Sequence, residues 1–261
     1  MRAKKHFGQH FLHDPSVIDK ILLALSPRQG EAVVEIGPGR GALTRSLLAA
    51  VGELDVVEID PDVLPELESR CAGLGTLRIH RLDVLRFDFA ELARQRGTLR
   101  IVGNLPYNIS TPLLFHILDQ RGCMRDAHFM LQKEVAERLA AEPGGGDYGR
   151  LSVMVQYHCA VTSLFNVKPG AFSPPPRVDS SVVRLVPYAS PPHRADDENW
   201  FGLVVNTAFQ QRRKTLRNAV KRLMDAETIE KAGLDPNQRP ETLSVANFVA
   251  LANCAKRIED N

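Results

Sequence analysis

Val33–Val34–Glu35–Ile36–Gly37–Pro38–Gly39–Arg40–Gly41–Ala42 is the stretch that decides the fold. A short apolar run ends in a glycine turn, and helical spacing follows. Glycine permits tight dihedrals and lets a ligand approach the backbone closely. The N-terminus of the helix after the turn offers free N–H groups to a polar ligand. Gly37-x-Gly39-x-x-Ala42 satisfies the dinucleotide-binding form G-x-G-x-x-G/A, and it equally fits the E-x-G-x-G form that cradles S-adenosylmethionine. The next β-rich run ends in Val57–Glu58–Ile59–Asp60. An acid there, about twenty residues beyond the glycines, suits recognition of a ribose diol. Glu58 sits at the strand tip and is the choice over Asp60. Asp83 closes the third run, where it either meets an adenine edge or caps a helix.

Strand-like runs lie at residues 32–36, 54–59, 77–80, 100–102 and 127–131, with helical spacing at 43–51 and 63–71. Continuous apolar runs suit strands buried on both faces of a parallel sheet. The alternation predicts a doubly wound α/β sheet. A β-leaning stretch follows at 151–167, then the Pro-rich loop 173–176, then 181–186. The pieces around the loop are expected to pair as a hairpin at one sheet edge. Pro187, Pro191 and Pro192 mark a linker, and helical patterns continue at 200–218, 219–225, 228–232 and 245–257. The boundary is placed near residue 190, giving an α/β domain over 1–190 and a small all-helical domain over 191–261.

The fourth run leads into Gly103–Asn104–Leu105–Pro106–Tyr107. Ligands of open α/β sheets bind at the carboxyl ends of strands, so this segment faces the same crevice as Gly37. The exocyclic amine of adenine is a poor nucleophile because its lone pair is delocalised. The Asn104 side-chain oxygen and the Pro106 carbonyl could each accept one amine hydrogen and favour a pyramidal nitrogen. Tyr107 offers a flat face for the base. No strong general base is required, since the proton becomes acidic once the methyl has transferred and water can take it. The competing reading of N-x-P-Y is a strand-ending turn. Ser110 or Thr111 can cap the following helix, with Pro112 in its first turn, and neither is given chemistry.

These segments resemble a known family. Phe7–Gly8–Gln9–His10–Phe11–Leu12, Glu35–Ile36–Gly37–Pro38–Gly39, Asn104–Leu105–Pro106–Tyr107–Asn108–Ile109–Ser110, Leu131–Gln132–Lys133–Glu134–Val135, Tyr148–Gly149–Arg150–Leu151–Ser152 and Phe172–Ser173–Pro174–Pro175–Pro176–Arg177–Val178–Asp179–Ser180 look like the ribosomal RNA adenine dimethyltransferases, most of all the bacterial small-subunit members. The resemblance spans nearly the whole chain, including Phe209–Gln210–Gln211–Arg212–Arg213–Lys214–Thr215. It implies a class I methyltransferase fold (a Rossmann-like doubly wound sheet) with a helical C-terminal domain. It implies S-adenosylmethionine as donor and dimethylation of two adjacent adenines near the 3′ end of 16S rRNA in the small ribosomal subunit. It places cofactor contacts on His10, Leu12, Gly37, Gly39, Glu58, Asp83 and Asn104, and it packs Phe172 on the target adenine opposite Tyr107. A flipped-out base needs two flat walls, although Phe172 also reads as a core aromatic under the loop. Relatives usually carry Asn at the position of His10, so here a backbone contact is the expectation that survives the exchange.

Composition narrows the alternatives. The 261 residues are 44% hydrophobic and 25% charged, ordinary for a globular protein, which excludes a disordered chain, a collagen or a coiled coil. Lys+Arg of 33 against Asp+Glu of 31 leaves a net charge of +2, so an RNA partner must be read from where charge sits. The segment 212–222 carries Arg212, Arg213, Lys214, Arg217, Lys221 and Arg222. At the helical period of about 3.6 residues it puts cations on one side and Leu216, Ala219, Val220 and Leu223 on the other. No acid interrupts it before Asp225, which favours phosphate binding. Glu53, Asp55, Glu58, Asp60, Asp62, Glu66 and Glu68 are expected to face away from RNA.

Four scattered cysteines (Cys71, Cys123, Cys159, Cys254) suit reduced thiols in the cytoplasm. The basic N-terminal segment lacks the apolar region of a secretory signal, and no run approaches a membrane span. His6, His10 and His13 have metal-like spacing, but Arg2, Lys4 and Lys5 disfavour a cation, so no metal is expected. This arm reads better as touching RNA phosphate or cofactor, and the protein is expected to be a monomer.

Four rival functions are weighed. A large-subunit rRNA adenine methyltransferase lacks a reason for the Arg213/Lys214 segment and the long Pro-rich loop. A DNA adenine methyltransferase usually carries an acid where Asn104 stands. A nicotinamide-dependent oxidoreductase leaves Asn104–Tyr107 unexplained. A non-catalytic ribosome-assembly factor would not need Gly37, Glu58, Asn104 and Tyr107 together.

Overall fold

The computed structural model describes residues 10–211 and 213–259, with side chains to Lys256. Arg212 and the arm residues Arg2, Lys4, Lys5, His6, Phe7, Gly8 and Gln9 lie outside the described residues.

The chain runs β1 (Phe11–Leu12), α1 (Pro15–Leu25), β2 (Val33–Ile36), α2 (Thr44–Val51), β3 (Glu53–Val57), α3 (Leu64–Cys71), β4 (Thr76–His80), α4 (Phe89–Arg96), β5 (Leu99–Asn104), α5 (Ser110–Asp119) and β6 (Met124–Gln132). It continues through α6 (Lys133–Ala140), α7 (Arg150–His158), β7 (Cys159–Val167), β8 (Phe172–Ser173), β9 (Ser180–Pro187), α8 (Glu198–Ala208), α9 (Leu216–Val220), α10 (Ala226–Lys231) and α11 (Val245–Glu259). Seven strands form one sheet in the order β4-β3-β2-β5-β6-β9-β7, and β1 pairs separately with β8. Strands β4 through β6 are mutually parallel, and β9 is antiparallel to β6. All five strand-like runs are strands, and the β7–β9 edge matches the expected hairpin.

Strand order reverses between β2 and β5, and such a switch point opens a crevice at the strands' carboxyl ends. Register sets what lines it. Ile36 stands opposite Val57 on one side and Gly103 on the other. The next residues, Gly37, Glu58 and Asn104, therefore lie in one row along that edge. The central strands read as apolar because both faces are covered: Val34, Leu54 and Val56 are fully buried.

Two expectations are corrected. Residues 151–158 are helical, not β. In α7, Gln156 Nε2 donates to the carbonyls of Leu139 and Ala141, both at 2.9 Å, and Ser152 Oγ donates to that of Arg138 at 2.5 Å. These tertiary bonds outweigh the β-branched propensity of Val153 and Val155. The segment 212–222 is not one helix, because α9 begins only at Leu216. The Leu216 and Arg217 N–H groups donate to the carbonyls of Gln238 and Pro236, at 2.8 and 3.0 Å, so no helix enters from upstream.

A buried ion network was not legible in the sequence. Arg100, 5% exposed, grips Asp126 through two bonds of 2.9 and 2.8 Å and reaches Glu31 at 2.8 Å. Such a pair is costly to break because it strands a buried charge.

The chain divides into two compact units, Met1–Ala136 with Thr162–Pro187, and Glu137–Val161 with Tyr188–Asn261. The first holds the parallel sheet. The second has its own core, in which Tyr157 of α7 lies 4.4 Å from Phe201 of α8, ring to ring. Residues 137–161 thus share a unit with the C-terminal helices, whereas the sequence reading kept them with the sheet. Among the described residues, no helix is long and apolar enough to cross a membrane, and no three His, Cys, Asp or Glu residues are grouped to hold a metal ion.

Candidate active site

A cavity of about 210 Å³ opens at the switch point, within the first unit. The glycine turn forms its floor. Gly37 and Gly39 have φ of +64° and +53°, in the left-handed region that favours glycine. A Cβ on Gly39 would sit 3.0 Å from the Phe11 ring, so a side chain there would be strained by the backbone and would have to displace the ring.

Glu58 is 7% exposed and follows β3 directly. Its carboxylate accepts from the Gly39 N–H at 3.3 Å and the Asp60 N–H at 2.8 Å. Burial, more than the nearby Asp60 charge, raises its pKa. Asp83 lines the same cavity, and its Oδ1 accepts from the Leu85 N–H at 3.0 Å, so it caps a short 3₁₀ turn. The two readings of Asp83 are compatible, because Oδ2 takes no part in that cap.

Asn104 ends β5. Its Nδ2 donates to the His10 carbonyl at 2.9 Å, which leaves Oδ1 as the acceptor offered to the cavity. The Pro106 carbonyl already accepts from the Ile109 N–H at 3.1 Å, so one lone pair remains for a ligand. The Tyr107 hydroxyl bonds Ser180 Oγ at 2.8 Å, and burial raises its pKa, so the ring is pinned and neutral. Ser110 donates to the Tyr107 carbonyl at 3.1 Å, a structural role.

The His10 side chain is engaged within the protein. Nδ1–H donates to the Pro174 carbonyl at 2.7 Å, and the ring lies 5.4 Å from that of Tyr107. Its backbone carbonyl is the part that reaches Asn104. Leu12 lines the cavity and pairs with Phe172 across β1 and β8. Phe172 lies beneath the Pro-rich loop. It is 2% exposed, belongs to the apolar core with Leu12 and Ala171, and is not among the residues lining the cavity. The core reading of this aromatic is the one observed.

The sequence reading missed Glu35 as a site residue. It is 3% exposed, lines the cavity, and its Oε2 has no hydrogen-bond partner. Burial, then the Glu58 charge, raises its pKa to about 8. An acid in a strand covered on both faces was the available signal.

The RNA-facing candidates belong to the second unit. Arg213, Lys214, Arg217 and Lys221 are exposed, while Leu216 and Val220 are fully buried. None of these four cations makes an ion pair with another described residue. By contrast, three of the seven acids in the acidic stretch face arginines: Glu53 pairs with Arg78 and Arg96, Asp55 with Arg96, and Glu66 with Arg70.

The residues fit S-adenosylmethionine on chemical grounds: an unpartnered buried carboxylate oxygen for its ammonium, a side-chain-free turn, and a carboxylate at the tip of β3 for its ribose. Comparison with known proteins agrees. A family model described as "Ribosomal RNA adenine dimethylase" matches residues 1–257. "Ribosomal RNA small subunit methyltransferase A" of Pseudomonas fluorescens is 58% identical over 97% of this chain and 93% of its own. That of Pseudomonas aeruginosa is 56% identical over 100% of this chain and 97% of its own. Among solved structures, a dimethyladenosine transferase from Plasmodium falciparum superposes with TM-score 0.79 at 27% identity, covering 93% of this chain and 96% of its own. The 23S rRNA methyltransferase ErmE, at 24% identity and TM-score 0.73 over 94% of this chain and 99% of its own, shares the fold. A glycine turn of a form that fits S-adenosylmethionine, a family match over nearly every residue and relatives more than half identical converge on one conclusion: the chain belongs to the ribosomal RNA adenine dimethylase family and is an S-adenosylmethionine-dependent methyltransferase.

Proposed function

We propose that this enzyme dimethylates the exocyclic amines of two adjacent adenines near the 3′ end of 16S rRNA in the small ribosomal subunit, as part of subunit biogenesis in the cytoplasm. It works as a monomer and without a metal. The small-subunit assignment rests on the names of the relatives above. The chemistry rests on one observation: the Asn104 amide is fixed by the His10 carbonyl with its oxygen left for the substrate.

Gly37, Gly39 and Leu12 shape the cofactor pocket, and His10 enters it through its backbone. Glu35 holds the ammonium, Glu58 the ribose and Asp83 the adenine edge. When bound, S-adenosylmethionine supplies a methyl group on a sulfonium that departs as a neutral thioether. Asn104 Oδ1 and the second lone pair of the Pro106 carbonyl each accept a hydrogen of the target amine. In the first transfer both hydrogens are thereby drawn to one side; in the second, the one remaining hydrogen is held by either acceptor, and each time the nitrogen lone pair is turned out of conjugation with the ring. Tyr107 stacks on the base, held in place by Ser180. The amine proton leaves to water after transfer, so no residue need act as a strong base. Phe172, in the core, supports the Leu12 strand; serving as a second wall on the base would require it to leave that position.

The labour divides between the sheet-bearing part of the chain and its C-terminal helices. Residues 1–190 hold cofactor and base. Residues 191–261 present Arg212, Arg213, Lys214, Arg217 and Lys221 to RNA phosphates.

Asn104→Ala tests the reading. Cofactor affinity should change less than about threefold, while methyl transfer falls by about a hundredfold or more, as when a preorganised group at the reacting centre is lost. Unchanged turnover would remove Asn104 from the chemistry.

A further inference from the structure

Strand β1 is only two residues long, and such a ladder is not stable by itself. It nevertheless lies between the two motifs. At one end the His10 carbonyl holds Asn104. At the other an edge of the Phe11 ring borders the glycine turn: a Cβ placed on Gly39 would sit 3.0 Å from it. Above that ring sits Arg40, its guanidinium carbon 4.7 Å from the ring centroid, well within cation–π range. Glu66 stands behind Arg40: its Oε2 is 3.7 Å from Arg40 Nε, and its Oε1 is 2.7 Å from Arg70. Phe11, Gly39 and Arg40 all line the cavity. The ring thus has the side-chain-free Gly39 beside its edge and a cation over its face, with a carboxylate near that cation.

We propose that Arg40 is a positioning residue that latches β1 over the cofactor cavity. Held by Glu66, it presses Phe11 onto Gly39 and so slows escape of the bound S-adenosyl compound. Arg40 acts through Phe11 and need not touch the ligand. This rests on the cavity being the cofactor site. The rival role for a cation in this turn is direct pairing with the carboxylate of the ligand's methionine moiety. The two roles differ in whether Arg40 depends on Phe11.

The test measures release of tritiated S-adenosylhomocysteine into an unlabelled chase, for the full chain and for Arg40→Ala, Phe11→Ala, the double variant and Arg40→Lys. Thermal melting of each ligand-free protein separates a lost latch from a lost fold. The latch predicts that each alanine variant releases ligand about tenfold faster, the scale of a partly shielded cation–π contact. The double variant should be no faster than Phe11→Ala, and Arg40→Lys should recover most of the wild-type rate. Wild-type release from Arg40→Ala overturns the latch. Effects that multiply in the double variant also overturn it, because they place Arg40 on the ligand independently of Phe11. A wild-type chain that binds no S-adenosylhomocysteine overturns the cofactor reading itself, and the latch with it.

Discussion

Glu35 makes cofactor binding a proton-releasing event. Its carboxyl is 3% exposed, one oxygen has no partner, and burial with the Glu58 charge beside it lifts its pKa to about 8. The free enzyme therefore holds it mostly as the neutral acid. An ammonium brought beside it reverses the preference, since an opposite charge favours the ionised form. The magnitude follows from the shift. A group titrating near 8 is ionised in roughly one molecule in ten at pH 7 and one in a hundred at pH 6. Binding that needs the ionised form then releases about 0.9 proton at pH 7 and costs about 1.4 kcal/mol in apparent affinity. The affinity should rise about tenfold from pH 6 to pH 7. Staying at or below pH 7 keeps the ligand's ammonium protonated, as α-amino groups titrate near 7.7–8.0. The assay is calorimetric titration with S-adenosylhomocysteine in buffers of different ionisation enthalpy, where the slope counts released protons. Glu35→Gln should abolish both the release and the pH dependence. Enthalpies independent of buffer, with a flat affinity from pH 6 to 7, would refute the reasoning.

His128 predicts acid sensitivity. It is 1% exposed and lines the cavity, and burial lowers its pKa to about 4 despite the Asp126 charge nearby. Below pH 6.5 the unfolded chain takes up a proton that the folded chain refuses until about pH 4, so stability falls across that window by up to about 3 kcal/mol. Denaturant melts of wild type and His128→Gln should converge as pH drops; parallel curves would count against it. Reversing Arg213 and Lys214 to Glu should weaken binding to small subunits at least tenfold and flatten its salt dependence, with cofactor affinity unchanged. Equal subunit affinity would take these cations out of the RNA interface.

The sheet was legible because its signals are local. Apolar runs covered on both faces and a glycine turn after β2 need only a few neighbouring residues to be read. The row of Gly37, Glu58 and Asn104 was legible for the same reason, since each closes a strand. What escaped depends on partners far along the chain. Arg100 finds Asp126 across the sheet, and the Asn104 amide is oriented by His10, 94 residues away. Helix α7 is fixed by carbonyls of the preceding helical segment, so its β-branched residues misled. The short α9 was mistaken for a long amphipathic helix because a helical wheel assumes a continuous helix. It does not register the loop at 236–238, which claims the N–H groups of Leu216 and Arg217. Phe172 has two readings that pattern alone could not separate, and its burial is set by the β1–β8 pairing with Leu12, which no local signal shows.

The most direct test of the proposed function is transfer of labelled methyl from S-adenosylmethionine to three substrates: unmethylated small subunits, naked 16S rRNA and large subunits. The account predicts label in small subunits alone, recovered as dimethyladenine at two adjacent positions near the 3′ end. Label in large subunits instead, or none anywhere while the cofactor still binds, would contradict it.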